Sequence, residues 1–209
     1  MNSGNKNTAL LSRLILERRT RKPKNFIGAP SPDKIVKLID IARHAPNHHR
    51  SQPARFYLLN STKIKQVARL FAEVIWQDRS STSLVERGKK KEQEWSQTPG
   101  LLIVTCFTDK GSKLAQSNPE ITEEDYATCS CICQNLLLLF EAEGIAAKWS
   151  TGKVWEHPNF ADCIGMEKSS VERVVALLFY GYSDEKLSTR PLIDLSDQLK
   201  NYSGQPCNE

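Results

Sequence analysis

With 209 residues, 39% of them hydrophobic and 25% charged, the chain can bury one sizeable core and fits one domain better than two. Its 29 Lys and Arg against 24 Asp and Glu leave a net charge of +5, too small and too mixed in sign to indicate a nucleic-acid partner by itself. No apolar run is long enough to span a membrane, and residues 1–6 lead into an amphipathic segment rather than a signal-peptide core, so a cytoplasmic protein is expected, with its six cysteines as reduced thiols.

The first helix is predicted over residues 7–19, with Leu10, Leu11, Leu14 and Ile15 on its apolar face. Arg18, Arg19, Arg21 and Lys22 crowd its C-terminal end. On the residues alone this is either a solvated cluster of cations favoured by the helix dipole, or an anion site in which two guanidinium forks and the Thr20 hydroxyl grip a phosphate. Ser31, Pro32 and Asp33 begin a second helix, whose stripe of Ile35, Leu38, Ile39 and Ala42 must stop near Ala45 because the Pro46 ring cannot continue it. Phe56, Tyr57, Leu58 and Leu59 read as a short buried strand. Between the two, His44, Asn47, His48, His49, Arg50 and Gln52 carry far more hydrogen-bonding capacity than a connector needs, which suits a polar ligand. His44 and His48 are four residues apart, a metal-ligand spacing on a helix, but Pro46 breaks the helix between them and no metal site is expected.

Thr62 is placed as the cap of a third helix carrying Ile64, Val67, Ala68, Phe71 and Ile75. Residues 79–97 are strongly polar, with Arg87, Lys89, Lys90 and Lys91 set among Glu86, Glu92 and Glu94: an exposed helix laced with ion pairs, or a cover over the site. Thr98, Pro99 and Gly100 turn the chain into a central strand over residues 101–107, continuously apolar and therefore covered on both faces. Residues 108–120 are predicted as loop. A long helix is predicted from Thr122, which stands three residues before Asp125 in a capping-box arrangement, to Gly144. It is apolar almost all round over residues 131–140, so it must be buried in the core or against a second subunit. Cys129 and Cys133 share one face while Cys131 points away, which predicts small-residue packing rather than a metal site. Residues 146–149 form a short strand ending in the donor-rich turn Ser150-Thr151-Gly152, and residues 174–182 form the last core strand. The polar tail beyond Ser183 contains Arg190, a possible extra phosphate partner. One domain is expected over residues 1–209, with its core at about residues 8–182.

Three stretches, in order, carry a family resemblance. Residues 45–56 follow the pattern AP-x-H-x-x-x-QP-x-x-F and are similar to a segment of the flavin-dependent nitroreductases, in particular the small, minimal-length branch. Glu17-Arg18-Arg19-Thr20 resembles the family's RRS, with Thr20 keeping the hydroxyl, and residues 144–152 resemble its G-x-G-x-x-W-x-[ST]-G. The resemblance implies an α+β fold with a mixed or antiparallel central sheet flanked by helices, a homodimer, and FMN as cofactor. It reverses the balance at the basic cluster, implying that Arg18, Arg19 and Thr20 hold the FMN phosphate. His44 and His48 would then approach the cofactor, their own or the partner subunit's, and Trp149, Ser150 and Thr151 would close its other side. The implied activity is hydride transfer from NAD(P)H through the flavin to a small acceptor such as a nitroaromatic or quinone, with no catalytic side chain because the flavin carries the chemistry. Two alternatives stand beside it: a flavin-binding protein without turnover, and a nucleic-acid-binding module using residues 18–24 and 89–91 as a basic surface.

Overall fold

A computed structural model describes residues 5–76, 81–167, 171–186 and 191–200. Four strands, β1 (Ala54–Leu59), β2 (Gly100–Phe107), β3 (Ala146–Ser150) and β4 (Glu172–Gly181), form an antiparallel sheet in the order β1-β2-β4-β3. Thr20 adds an isolated parallel bridge to Ala147, which lays the N-terminal segment along the free edge of β3. Seven α-helices are present among the described residues: α1 (Lys6–Glu17), α2 (Pro32–Ala42), α3 (Ser61–Ile75), α4 (Thr82–Ser96), α5 (Lys113–Ser117), α6 (Ile121–Ala142) and α7 (Phe160–Ile164).

The alternation of strand side chains divides the core in two. Leu102, Val104 and Cys106 of β2, with Leu178 and Tyr180 of β4, pack against Ile35, Leu38 and Ala42 of α2 and Ile132, Leu136 and Phe140 of α6. Leu101 and Ile103, with Leu177 and Phe179, face Ile64 and Val67 of α3, Trp95 of α4 and Phe160 of α7. The strands of the centre are therefore apolar on both sides, as the unbroken run over residues 101–107 predicts. One irregularity interrupts the β2–β4 ladder: Val104 pairs with Ala176 but Thr105 pairs with Val174, so Val175 is an extra residue, a bulge in β4.

The structure departs from the sequence expectations at several element ends. α1 stops at Glu17 because Arg18 takes an extended conformation, and its Leu10, Leu11, Ile15 and Leu16 are 50–69% exposed in the single chain. α3 is capped by Asn60, whose side chain accepts the Lys63 N–H at 2.9 Å, and Thr62 lies inside the helix. The expected capping box of α6 does not form. The helix starts at Ile121, and Asp125, 2% exposed, instead accepts the hydroxyls of Ser51 and Thr108. The predicted loop at 108–120 contains the short α5, and α7 was not anticipated. The described part of the polar stretch is α4, which is packed rather than simply exposed: Gly88 and Trp95 are buried, and Trp76 Nε1 donates to the Val85 carbonyl at 3.0 Å. Residues 79–80, Arg190 and Cys207 lie outside the described residues. No helix among those described is long and apolar enough to cross a membrane.

The reassigned cap is directly testable. Asn60→Ala should lower unfolding stability by about 1 kcal/mol, whereas Thr62→Ala should leave it nearly unchanged, as read from the midpoints of urea unfolding curves.

Candidate functional site

The basic cluster follows α1 and is stitched to the sheet. The Arg21 N–H donates to the Ala147 carbonyl at 3.0 Å, next to the Thr20–Ala147 bridge, so residues 18–22 run beside the start of β3. Arg21 is structural: its guanidinium pairs with Glu141 of α6 at 3.4 Å, with both side chains mostly buried. Arg19 Nη1 donates to the Arg18 carbonyl at 2.9 Å, which leaves its fork folded back on the turn. Thr20 is exposed.

Strand alternation places Lys148 on the same face as Ala146, toward α4. Burial pushes its ammonium below the ordinary lysine value; Glu94 opposes this, and Lys91 and Lys22 add repulsion. A half-buried lysine beside two further cations, next to a segment already carrying Arg18 and Arg19, is an environment that a bound anion would relieve. Arg21 Nε, in the same segment, is a buried donor with no partner among the described residues.

At the far end of β3, Trp149 and Ser150 are half-buried and Thr151 is exposed. Gly152 follows in a confined place, where an added Cβ would lie 3.2 Å from the Phe71 ring and 3.4 Å from Trp95. Phe71 and Trp95 are themselves stacked at 4.1 Å, and Trp95 Nε1 is a second buried donor without a partner among the described residues. A cavity of about 370 Å³ opens here, lined by Phe71, Val74, Leu84, Arg87, Lys91 and Gly152. Lys91 thus links the cation cluster to the cavity. On the other side of the strand end, a cavity of about 710 Å³ is bounded by Thr151, Tyr126, Trp155, Glu172 and Arg173. In it the Glu172 carboxylate is fixed by the Tyr57 hydroxyl and the Thr105 hydroxyl, each donating at 2.7 Å, and the Arg173 guanidinium lies 3.9 Å over the Tyr126 ring. Burial, then Glu172, pushes the Tyr57 phenol up to about 12, so it remains a proton donor to that carboxylate.

The central turn sits elsewhere in the chain. His44, Asn47, Arg50 and Gln52 line a cavity of about 550 Å³ beside Phe56 and Ile132. His48 Nδ1 contacts Glu124 of α6 at 2.8 Å. His49, Arg50 and Gln52 all have φ between 49° and 56°, the left-handed region that residues with a side chain seldom occupy.

The sequence profile of the nitroreductase family matches residues 16–182, which spans the basic segment, the central turn, all four strands and the turn at Gly152. The chain belongs to the nitroreductase family. The curated relative "Putative NAD(P)H nitroreductase YfhC" of Bacillus subtilis is 27% identical over 188 residues, covering 87% of this chain and 90% of that protein. Among solved structures, a nitroreductase-like family protein from Bacillus cereus has the same fold with a TM-score of 0.76 at 23% identity, over 98% of this chain and all of that one. The FMN-dependent nitroreductase NfnB from Mycobacterium smegmatis, solved with NADPH, superposes with a TM-score of 0.71 at 14% identity, over 93% and 99% of the two chains.

Within one nitroreductase chain, therefore, Arg18, Arg19 and Thr20 are brought to the start of the strand that carries Trp149 and Ser150 and leads to Thr151, while His44 and His48 line or border a different region. Sequence reasoning gave Lys148, Lys91, Lys22 and Gly152 no role at the site, although Lys22 and Gly152 stand in stretches it noted. Lys148 carried a readable signal: a charged residue in a strand, AAKWS, that is otherwise small or apolar up to Ser150. Lys91 and Arg87 carried none, because nothing in a run of helix charges tells which one faces a cavity.

Lys148→Met should raise the stability of the flavin-free chain at pH 7. A lysine whose folded pKa lies below its unfolded one destabilises the fold while it is charged, and that cost fades as pH rises through the lowered value toward 10.5. The difference between variant and wild type in thermal unfolding should accordingly shrink with rising alkalinity.

Proposed function

We propose that this nitroreductase-family chain is an NAD(P)H-dependent FMN oxidoreductase that reduces a small acceptor such as a nitroaromatic or a quinone, and that it works as a homodimer in the cytoplasm. The observation that carries this reading is the line along β3, with cations gathered at its start and a confined cavity at its end. A strand advances about 3.3 Å per residue, so the five steps from Ala147 to Gly152 cover roughly 16 Å, a span that suits a phosphate at one end and a flat ring at the other. FMN, when bound, supplies reversible hydride and electron transfer.

The chain's own residues then bind and orient. Arg18, Arg19 and the Thr20 hydroxyl hold the phosphate with charge-assisted hydrogen bonds, and Lys148 and Lys22 add positive charge from the sheet side. Trp149, Ser150 and Thr151 border the ring, and the missing side chain at Gly152 leaves room beside Phe71 and Trp95. His44 and His48 stand on a turn remote from β3 within the chain, and they approach the flavin of the partner subunit. The exposed apolar face of α1 supports a second copy as its cover, since Leu10, Leu11, Ile15 and Leu16 are each half to two-thirds exposed along one helix. The five described cysteines are free, in keeping with a reducing compartment. The names of the relatives above support NAD(P)H as the electron donor.

The purified protein should be yellow and release FMN rather than FAD. Arg18→Ala or Arg19→Ala should remove about 1.5–3 kcal/mol of phosphate binding, roughly ten- to a hundredfold in FMN affinity, and activity should return with excess FMN. Cys131→Ser should turn over like wild type, and a dead Cys131 variant alongside normal arginine variants at limiting FMN would refute the assignment.

The dimer is tested separately. Light scattering should give twice the 23.6 kDa chain mass, and Leu11→Glu should shift it toward monomer. A wild-type monomer that holds flavin at micromolar concentration would refute the shared site.

A further inference from the structure

We propose that His48, His49 and Glu124 form a binding site for a divalent transition metal, with zinc as the natural candidate. The metal-binding atoms of the three side chains all lie within 4.8 Å of one another. Zinc holds nitrogen and oxygen ligands at about 2.0–2.2 Å, which puts the ligands of a tetrahedral ion roughly 3.3–3.6 Å apart. Both histidines are exposed and free to close that difference by side-chain rotation.

The local backbone explains how adjacent histidines can serve one ion. In extended chain, consecutive side chains point to opposite sides. Here His49 has φ 56°, and the turn brings the two rings to 4.2 Å between centroids at a tilt of 34°. Arg50 and Gln52 share the left-handed conformation, so the strained backbone lies within the same six-residue turn. The turn is also clamped: Ser51 donates to Asp125 of α6, whose other oxygen accepts the Thr108 hydroxyl at 2.7 Å.

The third ligand is oriented in advance. Asn118 Nδ2 donates to Glu124 Oε2 at 3.1 Å, while Oε1 faces His48 Nδ1 at 2.8 Å. A carboxylate ligand held by an amide through its second oxygen is the support that metal sites commonly provide around their ligands. A cation seated among the three would exchange the direct His48–Glu124 hydrogen bond for one bond to each partner. Two neutral imidazoles and one carboxylate suit zinc and its late first-row neighbours better than magnesium or calcium, which take oxygen ligands. Three protein ligands leave a fourth position for water or an acceptor group. The site differs from the His44–His48 spacing visible in the sequence; it shares His48 with the proposed flavin contact, but its geometry and its zinc readout are independent of flavin. Its consequence for the fold is a tie between α6 and the turn that walls the His44 cavity.

The test uses the full-length protein as purified, stripped with a chelator, kept reduced and titrated with zinc chloride in a calorimeter. One zinc should bind per chain. His48→Ala, His49→Ala and Glu124→Gln should each weaken it at least about a hundredfold, and Asn118→Ala should weaken it about tenfold, the low end of what loss of an orienting partner costs. Cys131→Ser should bind as wild type. Glu124→Gln keeps the shape of the side chain, so loss of binding there cannot be put down to misfolding. X-ray absorption at the zinc edge should show a nitrogen and oxygen shell with imidazole scattering. A sulfur shell, binding that survives in the His49 or Glu124 variant, or no binding by wild type would each overturn the proposal.

Discussion

One backbone hydrogen bond, from the Arg21 N–H to the Ala147 carbonyl, sets where the basic cluster can act. Without it, Arg18, Arg19 and Lys22 would be charges on the end of an exposed helix, each worth a few tenths of a kcal/mol to that helix at best. With it, they stand along a strand whose next residue, Lys148, is half-buried and whose far end opens on a cavity. The Arg21–Glu141 pair locks the arrangement, because removing either partner would leave an uncompensated charge mostly out of water. The segment is therefore held by one arginine, through its backbone N–H and its guanidinium together.

A second constraint comes from Asp125. A buried carboxylate needs partners, and it finds them in Ser51 and Thr108, from two segments distant in sequence. That choice joins the central turn, the end of β2 and the first turns of α6 into one unit. It also accounts for the left-handed residues at 49, 50 and 52, since a turn fastened at Ser51 has less freedom to relax.

Much of this architecture was readable from residue order. The continuous apolar run at 101–107 could only be a strand covered on both faces, and the helical spacing of Ile64, Val67, Ala68 and Phe71 could only be an amphipathic helix. Polar partners that depend on tertiary structure were not readable. Asn60 and Thr62 are both acceptable caps, and the choice rests on where the preceding strand ends. The Thr122–Asp125 spacing has the form of a capping box, but long-range hydroxyls won the carboxylate. The five-residue α7 is too short for any period to show. In the site, the resemblance implied that Arg18, Arg19, Thr20 and Trp149 surround one cofactor, but the Thr20–Ala147 edge pairing that brings them to one strand, like the meeting of His49 with Glu124, depends on how distant segments fold together and leaves no trace in spacing.

The extra residue in β4 has a consequence for how this chain tolerates change in length. From Gly181 back to Ala176 the even-numbered residues of β4 share the face of Leu178, and from Val174 back to Glu172 the even-numbered residues take the other face. That reversal turns Glu172 toward Tyr57 and Thr105 and turns Arg173 across Tyr126 on the opposite face. A chain lacking Val175 would regain a regular ladder with Glu172 and Arg173 on the faces they have now, whereas a chain that kept Val175 and paired it with Thr105 would exchange an anion for a cation on each wall of the large cavity. The bulge, at this single position, specifies polarity.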